Sequence, residues 1–500
     1  MKSPPQPGGA LNTKSAQAGG NSPRIAVIGA GLSGLCMGIF LKQAGFEDVT
    51  LYEKASEVGG TWRENTYPGV ACDVPSQVYS FSFALNPNWS KTFADGDEIW
   101  AYTKRVVEEF DLARHIRFNT EIETLAYDDT GWTLRTTTGE RIHADFVIAG
   151  MGGLHTPNIP DIPGLEDFAG TTFHSAEWNH AHDLTGRRIG LIGSAASAVQ
   201  ILPRIQPQAG HVTLFQRTAN WILPRGDTPN AAWVKSAFKT VPGLQRLVRG
   251  GLYLNLESRF PAFKKGHPMR KMARRWLDTH LEKSVKDPAL RAALTPDYPP
   301  GCKRILLSDD FYPALQQPNV TLETTPIAAI EPEGIRMANG TRHAVDTLIL
   351  ATGFHPFGLE PPFAIHGRDG QSIFEMWADG VSAHRSVAVA GFPNLFFLMG
   401  PNSGLGHNSV IVMIEAQARY ILQCIQAVKA QGAQSIEVRS EASDRFNEDV
   451  QASLSDTIWD SGCKSWYKDE KGRNYTLWPH STLRFRREMR SPDLAEYTIA

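Results

Sequence analysis

Residues 24–35, RIAVIGAGLSGL, decide how this chain folds. An apolar run (Ile25, Val27, Ile28) enters Gly29, Gly31 and Gly34 and continues into LCMGIFLKQAG, so the order is strand, tight turn, helix. In a doubly wound fold Gly29 makes the turn, Gly31 admits a pyrophosphate close to the backbone, and Gly34 lets the helix pack on the strand. The helix start then offers free N–H groups and a partial positive charge to phosphate. Glu53, closing VTLYE, stands about 20 residues on, where a ribose-binding acid belongs. Together these features predict a dinucleotide-binding unit rather than a glycine turn in an ordinary α/β core.

A second copy follows at residues 187–205, RRIGLIGSAASAVQILPRI, with Gly193, Ala195 and Ala198 at the three positions. The methyl of Ala195 holds a pyrophosphate slightly further off. The next strand, VTLFQRTANWILPR (212–225), offers Gln216 and Arg217 where an NAD site has an acid. A cation there suits a 2′-phosphate, so NADP is expected over NAD; the competing reading is a solvated arginine at a strand end.

Between these copies, residues 59–81 are rich in glycine, proline and aromatics and include Asp73, which fits either a ligand-wrapping loop or a packed surface loop. Residues 226–300 alternate apolar and basic residues at helical spacing, predicting a helical insertion. Its cluster Lys264, Lys265, Arg270, Lys271, Arg274 and Arg275 is expected to be a solvated helix face, with a membrane or partner contact as the alternative. VDTLILATGFHPF (345–357) returns the chain to a sheet, and GPNSGLGHNS (400–409) leads into a long helix. His180, His182 and Asp183 lack a third ligand at metal spacing, so a polar loop and no metal is expected.

The bulk numbers exclude several classes. A formal charge of -2 over 500 residues gives no general electrostatic case for nucleic acid. The five cysteines are scattered and never form CxxC, so reduced thiols, a cytoplasmic setting and no redox dithiol are expected. No apolar run reaches membrane-spanning length, residues 1–23 are expected to be a disordered tail, and nothing specifies an oligomeric state.

At FAGTTFHSAEWN (168–179), Phe168, Gly170, His174 and Trp178 match the FxGxxxHxxxW fingerprint that lies between two Rossmann motifs in Baeyer-Villiger monooxygenases. The chain resembles that family nearly throughout after the tail, including GGTW (59–62), YPGVACDVPS (67–76), GCKRILLSDDFYPAL (301–315), ATGF (351–354) and the C-terminal SGCKSWYKDEKGRN and WPHSTLRFR. It departs from the family's pattern at Asn179 and Ala195.

The resemblance implies an α/β fold of two Rossmann-like dinucleotide-binding domains. FAD would be bound by residues 24–150 and 385–500, NADP by 151–225 and 301–384, with the helical insertion in the NADP domain. It implies FAD contacts from Gly29, Gly31, Gly34, Glu53, Gly60, Thr61, Trp62, Asp73, Tyr79 and Asn402. For NADP(H) it implies Gly193, Ser194, Ala195, Ser197, Ala198, Arg217, Thr218 and Lys303. His174 takes a hinge role, against the alternative of a linker histidine bonded to backbone.

In the implied reaction, hydride passes from nicotinamide to flavin, and O2 gives a peroxide at the flavin C4a. As an anion that peroxide attacks a ketone and yields an ester or lactone; protonated, it oxygenates sulfur or nitrogen, the alternative activity of a flavin-containing monooxygenase. The resemblance assigns the fixed cation favouring the first path to Arg304, and its partner acid to Asp73, whose competing reading is a loop acid capping backbone N–H groups. A non-catalytic redox-sensing flavoprotein is a third reading, disfavoured because every residue the chemistry requires is present.

Overall fold

The computed structural model describes residues 22–355, 363–463, 465–469 and 471–500. The expected tail, except for its last two positions, lies outside the described residues, as do 356–362, Lys464 and Glu470 of the implied motifs and domains.

Four strands open the chain: β1 (Ile25–Ile28), β2 (Val49–Tyr52), β3 (Ile116–Arg117) and β4 (Phe146–Ala149). Five more follow: β5 (Thr171–His174), β6 (Arg188–Ile192), β7 (His211–Phe215), β8 (Val320–Glu323) and β9 (Thr347–Leu350). Finally β10 (Leu395–Phe397) rejoins the first group. They form two five-stranded parallel sheets, ordered β10-β4-β1-β2-β3 and β8-β7-β6-β9-β5. In each sheet the first strand of its unit lies centrally between the second and the fourth. The fifth place is filled from opposite directions along the chain: β10 comes after the first unit, whereas β5, which carries His174, precedes the second.

The two units repeat one another in detail. The Arg24 backbone N–H and guanidinium both grip Asp145 just before β4, at 2.7 and 2.9 Å, and Arg188 grips Asp346 just before β9 in the same way, at 2.9 and 2.6 Å. The bonds from Arg188 hold the Asp346 carboxyl at about 2. Each fork fixes the register of a buried central pair, since a slip of one residue would reverse every side chain.

At the other end of that pair, Gly29 (φ 95°) and Gly193 (φ 113°) occupy a backbone region that L side chains rarely adopt. A Cβ there would lie 2.8 Å from the carbonyl oxygen of Gly150 or 2.2 Å from that of Ala351. The helices Leu32–Gln43 and Ala196–Ile205 start directly after these turns.

Two antiparallel sheets sit in the crossovers: Ile122–Asp128, Gly131–Thr136 and Arg141–Ala144 in the first unit, and Ile327–Glu331, Gly334–Met337 and Arg342–Ala344 in the second. Strand Ala364–His366 pairs with Ile122–Asp128, and Phe363, Ile365, Ile373 and Trp377 join the same buried cluster as Ala26 and Ile28. The chain is therefore back in the first unit by residue 363, earlier than the expected boundary after 384. A strand of three residues carries too little periodicity to mark the crossing.

The segment 226–300 carries the helices Ala232–Thr240, Leu244–Glu257, Met269–Ser284 and Pro288–Ala293. It bridges both units. Gln245 bonds Gln77 and the Asn86 carbonyl oxygen, while Leu277 and Leu281 enter the cores of the first and second units.

The third glycine position distinguishes the units. A Cβ on Gly34 would sit 1.9 Å from the Gly29 carbonyl oxygen, whereas the second unit already carries Ala198, fully buried, at that place. Gly34→Ala is accordingly expected to abolish flavin retention and soluble yield. Ala198→Gly should cost only about 1 kcal/mol of stability by thermal or denaturant unfolding. Equal tolerance of both would contradict the packing described.

Candidate active site

Both glycine turns open into one cleft of about 3220 Å³. A pocket for a single small ligand spans about 300–1,000 Å³, so the cleft has room for two dinucleotides side by side. On the side of the first unit it is lined by Gly29, Gly31, Glu53, Gly60, Thr61, Trp62, Asp73 and Tyr79. Glu53 is buried and accepts the Ala30 and Ala55 N–H groups at 2.8 and 3.0 Å, leaving lone pairs toward the cleft. Trp62 Nε1 donates to the Tyr79 hydroxyl at 3.1 Å, and burial pushes that phenol well above its ordinary pKa.

Gly193, Ser194, Ala195, Ser197, Arg217, Thr218 and Lys303 line the side of the second unit. Ala195 has φ -86° and ψ -160°, close to the -79° and -172° of Gly31, so the methyl leaves the turn's shape intact. Ser194 Oγ donates to the Thr218 carbonyl oxygen at 2.8 Å, and Asn220 Nδ2 donates to the Ser194 carbonyl oxygen at 2.9 Å. The loop after β7 is thereby clamped to the turn after β6.

Lys303 lies below the usual lysine range because of burial, with the charge of Arg217 pushing in the same direction against Asp297. Among the described residues neither cation is in an ion pair. Two neighbouring cations, neither of them in an ion pair, suit a phosphate.

Arg304 and Asp73 meet in the cleft, Nη2 to Oδ2 at 3.3 Å. The guanidinium opens to the cleft, with its side chain 49% exposed, while Asp73 is 12% exposed. Burial among the cleft walls opposes the arginine's charge, but Asp73, Tyr467, Cys72 and Tyr79 outweigh it and raise its pKa above the ordinary value. Arg304 is thus a permanent cation.

Its supports come from distant parts of the chain. Arg225 donates to the Cys72 carbonyl oxygen at 2.8 Å, Gln200 donates to the Ala71 carbonyl oxygen at 3.0 Å, and the Tyr67 hydroxyl donates to Gln200 at 2.9 Å. The loop 59–81 therefore does two things. It lines the cleft and it packs on the second unit's helix Ala196–Ile205.

Not every residue named from the sequence lines the cleft. Asn402 does not line the cleft, although Gly400, Pro401 and Gly404 do. Held at φ 56°, it donates to the Asn474 and Leu477 carbonyl oxygens at 2.9 and 3.1 Å and so fastens its loop to the C-terminal segment. Gly34 and Ala198 also lie off the cleft wall, in the helix–strand packing.

Arg270, Lys271, Arg274 and Arg275 border the cleft, and the last three of them are exposed to solvent. Cys302 and Cys463 are paired in a disulfide, contrary to the expectation of five reduced thiols, while Cys36, Cys72 and Cys424 are free and buried. Separated by 161 residues, the two partners give no spacing signal. The pairing removes the cysteine argument for a reducing compartment and ties the Lys303-Arg304 loop to the C-terminal segment, yet neither cysteine lines the cleft.

None of Phe168, Gly170, His174 and Trp178 lines the cleft either. They shape the edge strand β5 and the joint between the units. A Cβ on Gly170 would lie 2.4 Å from the Asp346 carbonyl oxygen, and Trp178 packs edge-on against Phe173. The buried His174 ring accepts the Ala176 N–H at 3.1 Å and faces Phe354 edge-on at 5.9 Å. Burial lowers its pKa, which favours the neutral ring.

Phe354 lies where the two interdomain segments run together. Asn158 N–H donates to the Gly353 carbonyl oxygen at 3.0 Å, and Thr352 Oγ1 donates to that of Asn158 at 2.6 Å. His180 and His182 go to different partners, Thr66 and Thr347, and no metal-ligand cluster exists among the described residues.

Residues 26–248 match the family model described as pyridine nucleotide-disulphide oxidoreductase, a span holding both glycine turns. The chain is 44% identical over 494 residues to a Baeyer-Villiger monooxygenase of Pseudomonas aeruginosa, covering 98% of this chain and 94% of the relative. It is 42% identical over 485 residues to a Baeyer-Villiger monooxygenase of Streptomyces coelicolor, covering 95% and 92%.

Among solved structures it is similar to an oxidised steroid monooxygenase bound to NADP, with 30% identity, TM-score 0.84 and coverage of 96% and 99%. It is likewise similar to OTEMO in complex with FAD and NADP, with 26% identity, TM-score 0.85 and coverage of 96% and 100%.

The unpaired Arg217 beside Lys303 yields a selective expectation. One charge-assisted contact to phosphate is worth about 1.5–3 kcal/mol, so Arg217→Ala should raise KM for NADPH about tenfold or more and leave that for NADH nearly unchanged. Steady-state kinetics with both nucleotides checks it, and equal effects on the two would remove Arg217 from the 2′-phosphate site.

Proposed function

The chain belongs to the Baeyer-Villiger monooxygenases, and from that membership we propose how its own residues carry the reaction. The protein is an FAD- and NADPH-dependent monooxygenase that converts ketones to esters or lactones with O2. FAD would be held by the turn at Gly29 and Gly31, by Glu53, and by Gly60, Thr61 and Trp62. NADP(H) would be held by Gly193, Ser194, Ala195 and Ser197, with its 2′-phosphate between Arg217, Thr218 and Lys303. Once bound, the two cofactors would supply hydride transfer and the activation of O2.

What the chain adds is placement and charge. Arg304 stabilises negative charge on oxygen at the reacting centre and polarises a ketone carbonyl bound in the cleft. It does so in a walled site, where a fixed charge acts more strongly than in water. Asp73, a positioning acid, aims the guanidinium without occupying all of its donors, because a single 3.3 Å contact leaves its other N–H groups for substrate.

Met272, Trp276 and Trp466 put apolar surface on the same cleft, which suits a hydrophobic ketone. No helix among the described residues is long and apolar enough to cross a membrane, and a cytoplasmic location fits a reaction that consumes NADPH.

One observation supports this reading above the others: a permanent cation, gripped by a half-buried acid, in the cleft that both nucleotide turns share. Loss of one preorganised charge donor typically costs about 10²–10³ in rate. Arg304→Ala is expected to lower ester formation at least that far while FAD stays bound and NADPH oxidation continues uncoupled. Chromatographic product analysis beside flavin absorbance measures both. Undiminished ester formation would refute the assignment.

A further inference from the structure

We propose that the outer face of the helical insertion, together with helix Thr482–Glu488, docks on the surface of an anionic lipid bilayer. Eleven large apolar side chains are exposed among the described residues: Leu154, Ile159, Trp233, Val241, Leu247, Leu254, Met272, Trp276, Trp466, Leu483 and Leu494. Leu154, Met272, Trp276 and Trp466 line the cleft and are accounted for there. Of the remaining seven, five fall on one small region of the fold: Trp233, Val241, Leu247, Leu254 and Leu483. Scattered single exposures are ordinary, but a cluster of this kind marks a contact surface.

The region is continuous. Helices Ala232–Thr240 and Leu244–Glu257 are joined through Val241 to Gly243. Tyr253 of the second bonds Thr482 at 2.8 Å, its ring lies under the Arg486 guanidinium at 5.9 Å, and the Leu483 N–H donates to Glu257. Leu247 (74% exposed) and Leu254 (59%) are seven residues apart and share one helix face. Between them Gly250 and Gly251 open to empty space, so that face is flat. Trp233 is 74% exposed.

Charge selects the occupant. Lys239, Arg246, Arg486 and Arg487 are exposed and Lys235 is half-buried, and none of the five is in an ion pair among the described residues. The acids nearby are already committed. Glu257 is buried, takes bonds from Asn408 and Thr482 and faces His407 at 3.4 Å; Glu488 pairs with Arg484. Exposed Trp and Leu rimmed by unpaired Lys and Arg is the composition of a helix lying in a bilayer interface, and a negatively charged headgroup layer completes it.

The placement also serves the reaction. The helix that carries Leu247 and Leu254 puts Leu256, two residues further on, on the cleft wall, followed by Ser258 and Arg259. An apolar ketone dissolved in the membrane would therefore meet the enzyme beside its cleft.

The test uses the FAD-loaded full chain and co-sedimentation with vesicles of phosphatidylcholine alone or with about one third phosphatidylglycerol. Binding is expected to the anionic vesicles, at least tenfold weaker to neutral ones, and lost as salt rises, because surface charge is screened within a Debye length. A Trp233→Ser, Leu247→Ser, Leu254→Ser variant should bind at least tenfold more weakly while its rate with a water-soluble ketone is unchanged.

Equal partition with and without anionic lipid, or undiminished binding by the variant, would overturn the proposal. So would a dimer, seen by light scattering, that the triple variant converts to monomer, since that would assign the face to a second copy of the chain.

Discussion

The ion pair between Asp73 and Arg304 spans the two halves of the molecule, and the rest of the structure can be understood as holding its ends. Asp73 sits on a loop of the first nucleotide unit, but the second unit fixes that loop through Gln200, Tyr67 and Arg225. Arg304 follows the helical insertion, and its loop is tied to the C-terminal segment through Cys302 and Cys463. A guanidinium held from one side alone would swing with its own unit. Held from both, it keeps its charge at the place where the two nucleotide turns face each other.

The fingerprint of Phe168, Gly170, His174 and Trp178 lies off the cleft, at the joint between the units. Its residues build an edge strand whose neighbour, Thr347–Leu350, runs on into the segment crossing back to the first unit. The His174 ring sits against Phe354 at that crossing, beside the hydrogen bonds that pair the two linkers. Both linkers between the units meet at this joint, where the proposed hinge role would be exercised.

What was legible in the sequence is what is local. Gly29 and Gly193 announce their turns because φ, strand and helix are all specified within a dozen neighbouring residues. Glu53 and Arg217 follow at strand ends, where the fold's own geometry dictates a place for them. The matching forks Arg24–Asp145 and Arg188–Asp346 passed unnoticed because each arginine meets its acid only after the sheet has formed.

The disulfide and the early return to the first unit at Phe363 are likewise consequences of packing. Asn402 shows the same dependence on packing. Its loop does reach the cleft, but positive φ and two backbone acceptors take its own side chain elsewhere.

The central claim is that one atom of O2 enters a ketone in a cleft built from two nucleotide sites. The most direct measurement is mass spectrometry of the product formed by the purified, FAD-loaded protein with NADPH, a cyclic ketone and oxygen-18 gas. A lactone heavier by one labelled atom is the predicted result. A ketone returned unchanged, or a lactone without label while NADPH is consumed, would contradict the account.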